Sequence, residues 1–328
     1  MRKVAALVLS LASLMLGACS YLLQDPYAQF MEKAAGAADL GSSLGSGISY
    51  LGMTEASSGS TTYLFLEILA SSGSKIVKAL SASSLTLSGL SGQGSPSTLC
   101  AAVDAKGDYV VAGLAYAPSS LAADSLDAAL PGFLASDAAA GLNYIFTSAA
   151  AASAQLSYST YDASWASAAP FQKAFRSDLS SWRLARVLLL DDGSLALLAF
   201  QGSAAKGSLL AAVYPSLAAF AASTESALDA SSASRSAVVN IDTNQAGIGS
   251  TEGLPAWPTS EGLVVLLSDA NGGFRLARYG YDGGAEKDEY SVDSRPDAAF
   301  YFEPSGRYWF LYEKSANKLY KLRTWWTD

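Results

Sequence analysis

The chain of 328 residues contains no histidine. That absence excludes Ser-His-Asp and Cys-His catalysis. It also removes the commonest metal-ligating side chain and the acid–base group that titrates nearest neutral pH without tuning. Cysteine is almost as scarce, with only Cys19 and Cys100, so there is no disulfide framework. Charged residues make up 15% of the chain, and acids prevail: 21 Lys and Arg stand against 29 Asp and Glu, a net charge of −8. Polyanion binding depends on Lys and Arg neutralising phosphates, so no nucleic-acid partner is expected. No cofactor-binding or metal-binding signature is present, and none is expected.

The N-terminus carries the clearest signal. Arg2 and Lys3 precede an apolar run from Val4 to Leu16, broken only by Ser10 and Ser13, and the small residues Gly17 and Ala18 follow. This is the order of a secretory signal. The run would extend only about 20 Å as a helix, short of the roughly 20 residues a permanent span needs. Leu16-Gly17-Ala18-Cys19 resembles the lipobox of bacterial lipoproteins. The resemblance implies cleavage between Ala18 and Cys19, diacylglycerol on the Cys19 sulfur and acylation of the new amine. Two or three such chains anchor a protein durably. Ser20 after the cysteine implies, by the same likeness, the outer membrane, on its periplasmic or its surface face. Loss of Arg2 and Lys3 leaves 19 bases against 29 acids, a net charge of −10. Cys100, in the apolar run Leu99 to Val103, reads as a small core thiol.

Residues 19–47 read as a lipidated tether. Pro26 to Ala38 could form a short helix, and Gly41-Ser42-Ser43-Leu44-Gly45-Ser46-Gly47 has the composition of flexible coil. From residue 48 to residue 328, apolar runs of five to nine residues alternate with Gly, Ser, Asn and Asp, as in many short strands joined by tight turns. Two-arm units recur at Thr62 to Leu80, Asn143 to Tyr161, Ser194 to Tyr214, Gly262 to Tyr281 and Arg307 to Trp326, with a weaker copy starting at Asp108 to Tyr116. In the last unit Tyr308, Phe310 and Tyr312 face one way and Trp309 and Leu311 the other, so that strand is covered on both sides. Its second arm, Lys318 to Trp326, alternates more strongly and reads as nearer a sheet edge.

Three turns repeat a pattern: Ser72-Gly73-Ser74-Lys75, Ser203-Ala204-Ala205-Lys206 and Ser315-Ala316-Asn317-Lys318. Their serines lie 131 and 112 residues apart, from 72 to 203 and from 203 to 315. Division by three gives about 44 and 37 residues, the blade length of a propeller. A second mark opens the first arm at Asp104-Ala105-Lys106-Gly107, Asp191-Asp192-Gly193 and Glu303-Pro304-Ser305-Gly306. There the acid can cap the backbone and glycine tolerates positive φ. The expectation is an all-β chain forming one β-propeller, with seven blades fitting best and six or eight also compatible. Two packed β domains remain an alternative. The Ala-rich stretches 121–140 and 217–233 could be helical insertions. Neither a WD dipeptide nor the aspartate-box spacing of sialidase-type propellers occurs.

The motifs that could carry chemistry mostly dissolve on inspection. Gly41 to Gly45 matches the G-x-S-x-G elbow, but that motif needs a strand before it, a helix after it and a histidine partner. The Ser-x-x-Lys matches at Ser72, Ser203 and Ser315 fall on hairpin turns. Asp242-Thr243-Asn244 and Asp269-Ala270-Asn271 begin like calcium loops but lack the later ligands. The pairs Asp191/Asp192 and Asp288/Glu289 read as solvated, since adjacent strand residues point to opposite faces. Trp309, Trp325 and Trp326 read as closing the last blade against the first, with a binding surface as the alternative. No catalytic residue is assigned. The chain also resembles, at the level of architecture, lipid-anchored propeller proteins of the bacterial envelope, some of which help assemble other membrane proteins. The functional expectation is a monomeric, membrane-anchored binding or scaffolding module for envelope proteins or a surface ligand. The alternative is a hydrolase acting on envelope glycans with carboxylates in the propeller channel.

Overall fold

The computed structural model describes residues 34–45, 47–90, 101–111, 114–125, 132–147, 155–174, 182–203, 206–222, 235–242, 254–268, 274–292 and 298–327. The signal segment, Ala18, Cys19 and Cys100 lie outside the described residues. So do residues 26–33 of the expected short helix. Among the described residues no helix is long and apolar enough to cross a membrane.

Six four-stranded antiparallel sheets form a β-propeller. The first blade holds β2 (Ser49–Ser58), β3 (Thr61–Leu69), β4 (Lys75–Ser81) and β5 (Leu87–Ser88). The second holds β6 (Ala101–Val103), β7 (Tyr109–Val111), β8 (Leu114–Tyr116) and β9 (Ala123–Ser125). The third holds β10 (Phe133–Asp137), β11 (Leu142–Thr147), β12 (Gln155–Asp162) and β13 (Ser167–Ala174). The fourth holds β14 (Arg183–Leu189), β15 (Leu195–Ser203), β16 (Lys206–Tyr214) and β17 (Arg235–Asp242). The fifth holds β18 (Ala256–Thr259), β19 (Gly262–Ser268), β20 (Phe274–Tyr279) and β21 (Glu286–Val292). The sixth takes β22 (Ala298–Phe302), β23 (Tyr308–Glu313) and β24 (Lys318–Arg323) from the end of the chain and β1 (Ala34–Asp39) from near its start.

Two expectations change here. Residues 34–39, assigned to the tether or a helix, are the outer strand of the last blade: Ala38 pairs with Leu319 and Asp39 with Lys318. The tether reading of 40–45 is replaced as well, since Leu40 and Leu44 are buried around the short helix α1 (Gly41–Leu44). An Ala-rich segment gives no strong strand signal by itself, and the partner edge of β24 supplies the hydrogen bonds that fix it. With β1 outside it, β24 is an interior strand, which explains why Leu319 and Leu322 are buried.

The blade count is six, one of the compatible counts, rather than the seven that fitted best. From Ser72 to Ser203 the chain does pass three blade intervals, through the β7–β8 and β11–β12 turns. From Ser203 to Ser315 it passes only two, because the fourth blade is lengthened between β16 and β17. That stretch contains the helix α2 (Leu217–Ala222), whose Phe220 is fully buried against Tyr158 and Tyr214. The helical expectation for 217–233 therefore holds over Leu217–Ala222, whereas described parts of 121–140 form β9 and β10.

Each blade is apolar on both faces, so the core is distributed between blades rather than gathered at one centre. Tyr109, Val111 and Phe65 pack blades one and two together. Tyr144, Phe146, Leu195 and Tyr214 join blades three and four. Leu209, Val239, Leu263 and Val265 join four and five. The largest cluster spans the fifth, sixth and first blades, with Phe302, Phe310, Tyr312 and Leu66 at its heart. The turns that open the first arm sit between the first two strands of blades two, four and six. Gly107, Gly193 and Gly306 occupy positive φ there and donate to Asp104, Leu190 and Glu303 carbonyls at 3.0, 2.9 and 2.9 Å.

Candidate ligand-binding channel

The first strand of every blade faces the propeller axis, and together they line a cavity of about 1150 Å³. Its wall mixes apolar and polar side chains in comparable measure, and the apolar part includes Met53, Ala102, Val103, Leu134, Ala135 and Val187. Charged side chains enter at a few places, and register explains two of them. In β2 the pairing shifts between Tyr50 and Gly52, and in β14 between Leu184 and Arg186. Each bulge adds one residue to the inner strand and re-aims the side chains that follow. Glu55 and Arg186 lie beyond these bulges.

Among the described residues, eight charged side chains line the cavity, four acids and four bases. Six of them pair. Lys75 meets Glu67 at 3.5 Å, Arg307 meets Asp191 at 3.7 Å across the ring, and Lys321 meets Glu303 at 3.2 Å. Lys321 is further held by the Ala82 carbonyl at 3.1 Å and lies 4.3 Å from the Tyr308 ring centroid. The two residues left over are Glu55 and Arg186, and they do not pair with each other.

Burial pushes the Glu55 carboxyl up from 4.5 to about 8, and the neighbouring Glu303 charge adds to the shift. Lys321 pulls the other way, and Asp191 adds a smaller upward push. Glu55 is therefore protonated at neutral pH. Its Oε2 is buried with no hydrogen-bond partner, while its backbone N–H donates to the Tyr301 hydroxyl at 3.1 Å. Burial also raises Tyr301 and Tyr50, so both stay neutral phenols. Arg186 lies over the Trp257 ring, 5.8 Å from its centroid, and donates to the Leu254 carbonyl at 3.3 Å. Burial lowers its pKa, and the tyrosine hydroxyls oppose that shift. A guanidinium nonetheless remains protonated, and among the described residues no carboxylate pairs with it.

The residues singled out in the sequence fall elsewhere. Trp309 is buried, stacks on Phe302 at 5.4 Å and donates from Nε1 to the Arg323 carbonyl at 3.1 Å. Trp325 and Trp326 lie edge to face at 4.5 Å, between Tyr290 and Arg278 of blade five and Phe302 of blade six. None of the three lines the cavity. Asp288 bonds Arg278 and Glu289 bonds Arg275, so this acid pair is divided between two arginines as strand alternation requires. Asp192 receives the Ser194 N–H at 3.0 Å as a turn cap, whereas Asp191 reaches the channel. Among the described residues no cluster of His, Cys, Asp and Glu suits a metal ion. What sequence reading missed was a charge set among apolar residues in the middle of an inner strand, Arg186 in RLARVLL. That oddity was the available signal.

No family model matches this chain, and no curated protein matches it. Among solved structures, a neuraminidase-like protein of A/little yellow-shouldered bat/Guatemala aligns over 89% of this chain and 99% of its own, at 8% identity and a TM-score of 0.44. A fucose-specific lectin from Aleuria aurantia aligns over 86% of this chain and 92% of its own, at 12% identity and a TM-score of 0.41. Likeness at this level carries no statement about ligand or activity.

Proposed function

We propose that this protein is an envelope binding module, held to the membrane by acyl chains on Cys19, that acts as a monomer and takes a ligand in its axial cavity. The anchor rests on the order of charged, apolar and small residues ending at Cys19. Ser20 favours the outer membrane. The binding role rests on one observation: a cavity of about 1150 Å³ holds a guanidinium that no carboxylate among the described residues pairs with, and a buried carboxyl oxygen, Glu55 Oε2, without a hydrogen-bond partner. Unsatisfied buried polar groups are costly, and a ligand that satisfies them offsets that cost. Fractionated low-molecular-mass envelope extract should contain a component that raises the thermal midpoint of the full chain, and Arg186→Gln should abolish the rise. Extracts that never stabilise the protein would refute the binding role.

A second reading draws on Glu55 itself. A carboxyl kept protonated beside other carboxylates is the acid half of an acid–base pair, the arrangement glycoside hydrolysis uses. Release of soluble fragments from envelope glycan that stops in Glu55→Gln would establish it. Absence of any release by the unaltered protein would remove it.

A further inference from the structure

We propose that the axial cavity recognises a small monocarboxylate, gripping its carboxylate with the Arg186 guanidinium and packing its body on the apolar inner strands. This rests on the reading of the channel as a binding site and names the class of its occupant.

The argument is a charge balance. Three acid–base pairs line the cavity and cancel. The remaining acid, Glu55, is neutral at pH 7, and the remaining base, Arg186, is charged. Among the described residues the cavity therefore carries one uncompensated positive charge, partly withdrawn from solvent, where such a charge is costly. One negative charge neutralises it. A carboxylate has one. A phosphate monoester carries nearly two near neutral pH, leaving an excess that the channel's own acids, Asp191 and Glu303, would repel. Guanidinium geometry points the same way, since its planar fork takes a carboxylate through two parallel hydrogen bonds. Trp257 beneath the guanidinium and the Leu254 carbonyl beside it hold that fork in place before any ligand arrives. Protonated Glu55, entering from the first blade while Arg186 enters from the fourth, adds a hydrogen-bond donor. The apolar part of the wall favours a ligand whose remainder is unchargeable and compact.

The same balance sets a pH dependence. The charged and titratable groups facing Glu55 are Glu303 and Lys321 of the last blade, Asp191 after β14, and the Tyr301 hydroxyl. When Glu55 ionises near pH 8 the cavity loses its net positive charge, and carboxylate binding weakens.

Benzoate, benzamide and phenyl phosphate share one ring and differ in charge, so they test the class directly. Titrated calorimetrically into the full chain at pH 7, benzoate should bind saturably and more tightly than either of the others. Arg186→Gln should weaken benzoate by more than about tenfold. Between pH 7 and 9.5 benzoate affinity should fall several-fold in the unaltered protein, and Glu55→Gln should flatten that fall. Benzamide or phenyl phosphate binding as tightly as benzoate would overturn the carboxylate class and leave the channel reading standing. No binding of any of the three would overturn the carboxylate proposal, while the extract assay separately decides the channel reading. Benzoate binding unaffected by Arg186→Gln would place it elsewhere and overturn the proposal.

Discussion

The backbone N–H of Glu55 donates to the Tyr301 hydroxyl at 3.1 Å, tying the inner strand of the first blade to that of the last. The contact joins the last blade to the first across the ring closure. Tyr301→Phe leaves that partly buried N–H without its acceptor, at a cost of about 1–3 kcal/mol. Denaturant unfolding should show the loss as a lower midpoint with an unchanged slope.

Closure of the ring depends on β1. A chain beginning at Leu40 would lack the ladder from Ala34↔Leu322 to Asp39↔Lys318. Several backbone hydrogen bonds at about 1 kcal/mol each, plus the cover lost over Leu319 and Leu322, should cost roughly 3–6 kcal/mol. The bared edge of β24 should also make the shortened protein self-associate. Thermal melting and light scattering would read both effects.

Asp104 braces the second blade against the third. Its Oδ1 accepts the N–H groups of Lys106 and Asp108, each at 2.9 Å, and its Oδ2 accepts Trp165 Nε1 at 3.2 Å. Asp104→Ala orphans these donors, Trp165 Nε1 among them, and should destabilise the fold by about 2–4 kcal/mol. Asp104→Asn keeps one carboxyl-like oxygen and should recover part of that loss in the same unfolding assay.

Stability should depend on pH through Glu55. Its pKa is about 8 in the fold against 4.5 for the ordinary side chain. A raised acid favours the fold while both states are protonated, and that contribution drains away as pH rises from about 4.5 to about 8. Glu55→Gln removes this slope, so the variant should gain on the unaltered protein by a few kcal/mol across that window. Parallel urea titrations at pH 4.5 and pH 8.5 measure the difference. An equal difference at both pH values would contradict it.

Cys19→Ala should move the protein from the membrane fraction to the soluble one. Mass spectrometry of the unaltered N-terminus should find an acylated Cys19 as the first residue. Retention of Cys19→Ala on membranes would remove the anchor.

The repeat turns were legible in the sequence because glycine and an acid at fixed spacing have a local cause: Gly107, Gly193 and Gly306 all need positive φ. The strand pairs Thr61–Leu69 with Lys75–Ser81 and Tyr308–Glu313 with Lys318–Arg323 followed from apolar runs on either side of the Ser-x-x-Lys turns. Strand Ala34–Asp39 did not follow, because its structure is imposed by a partner near the far end of the chain. Blade number stayed open between six, seven and eight for a related reason: the α2 segment lengthens one unit, and a mean period cannot reveal which. The channel was less legible still. Glu55 and Arg186 share a cavity only because six blades close into a ring and two bulges turn their inner strands.

The most direct measurement is native mass spectrometry of the full chain, purified from its native cells without added carboxylates, beside Arg186→Gln. A ligand-holding channel predicts one low-mass organic acid per chain, released on unfolding and missing from the variant. The same adduct on both proteins, or none on either, would contradict it.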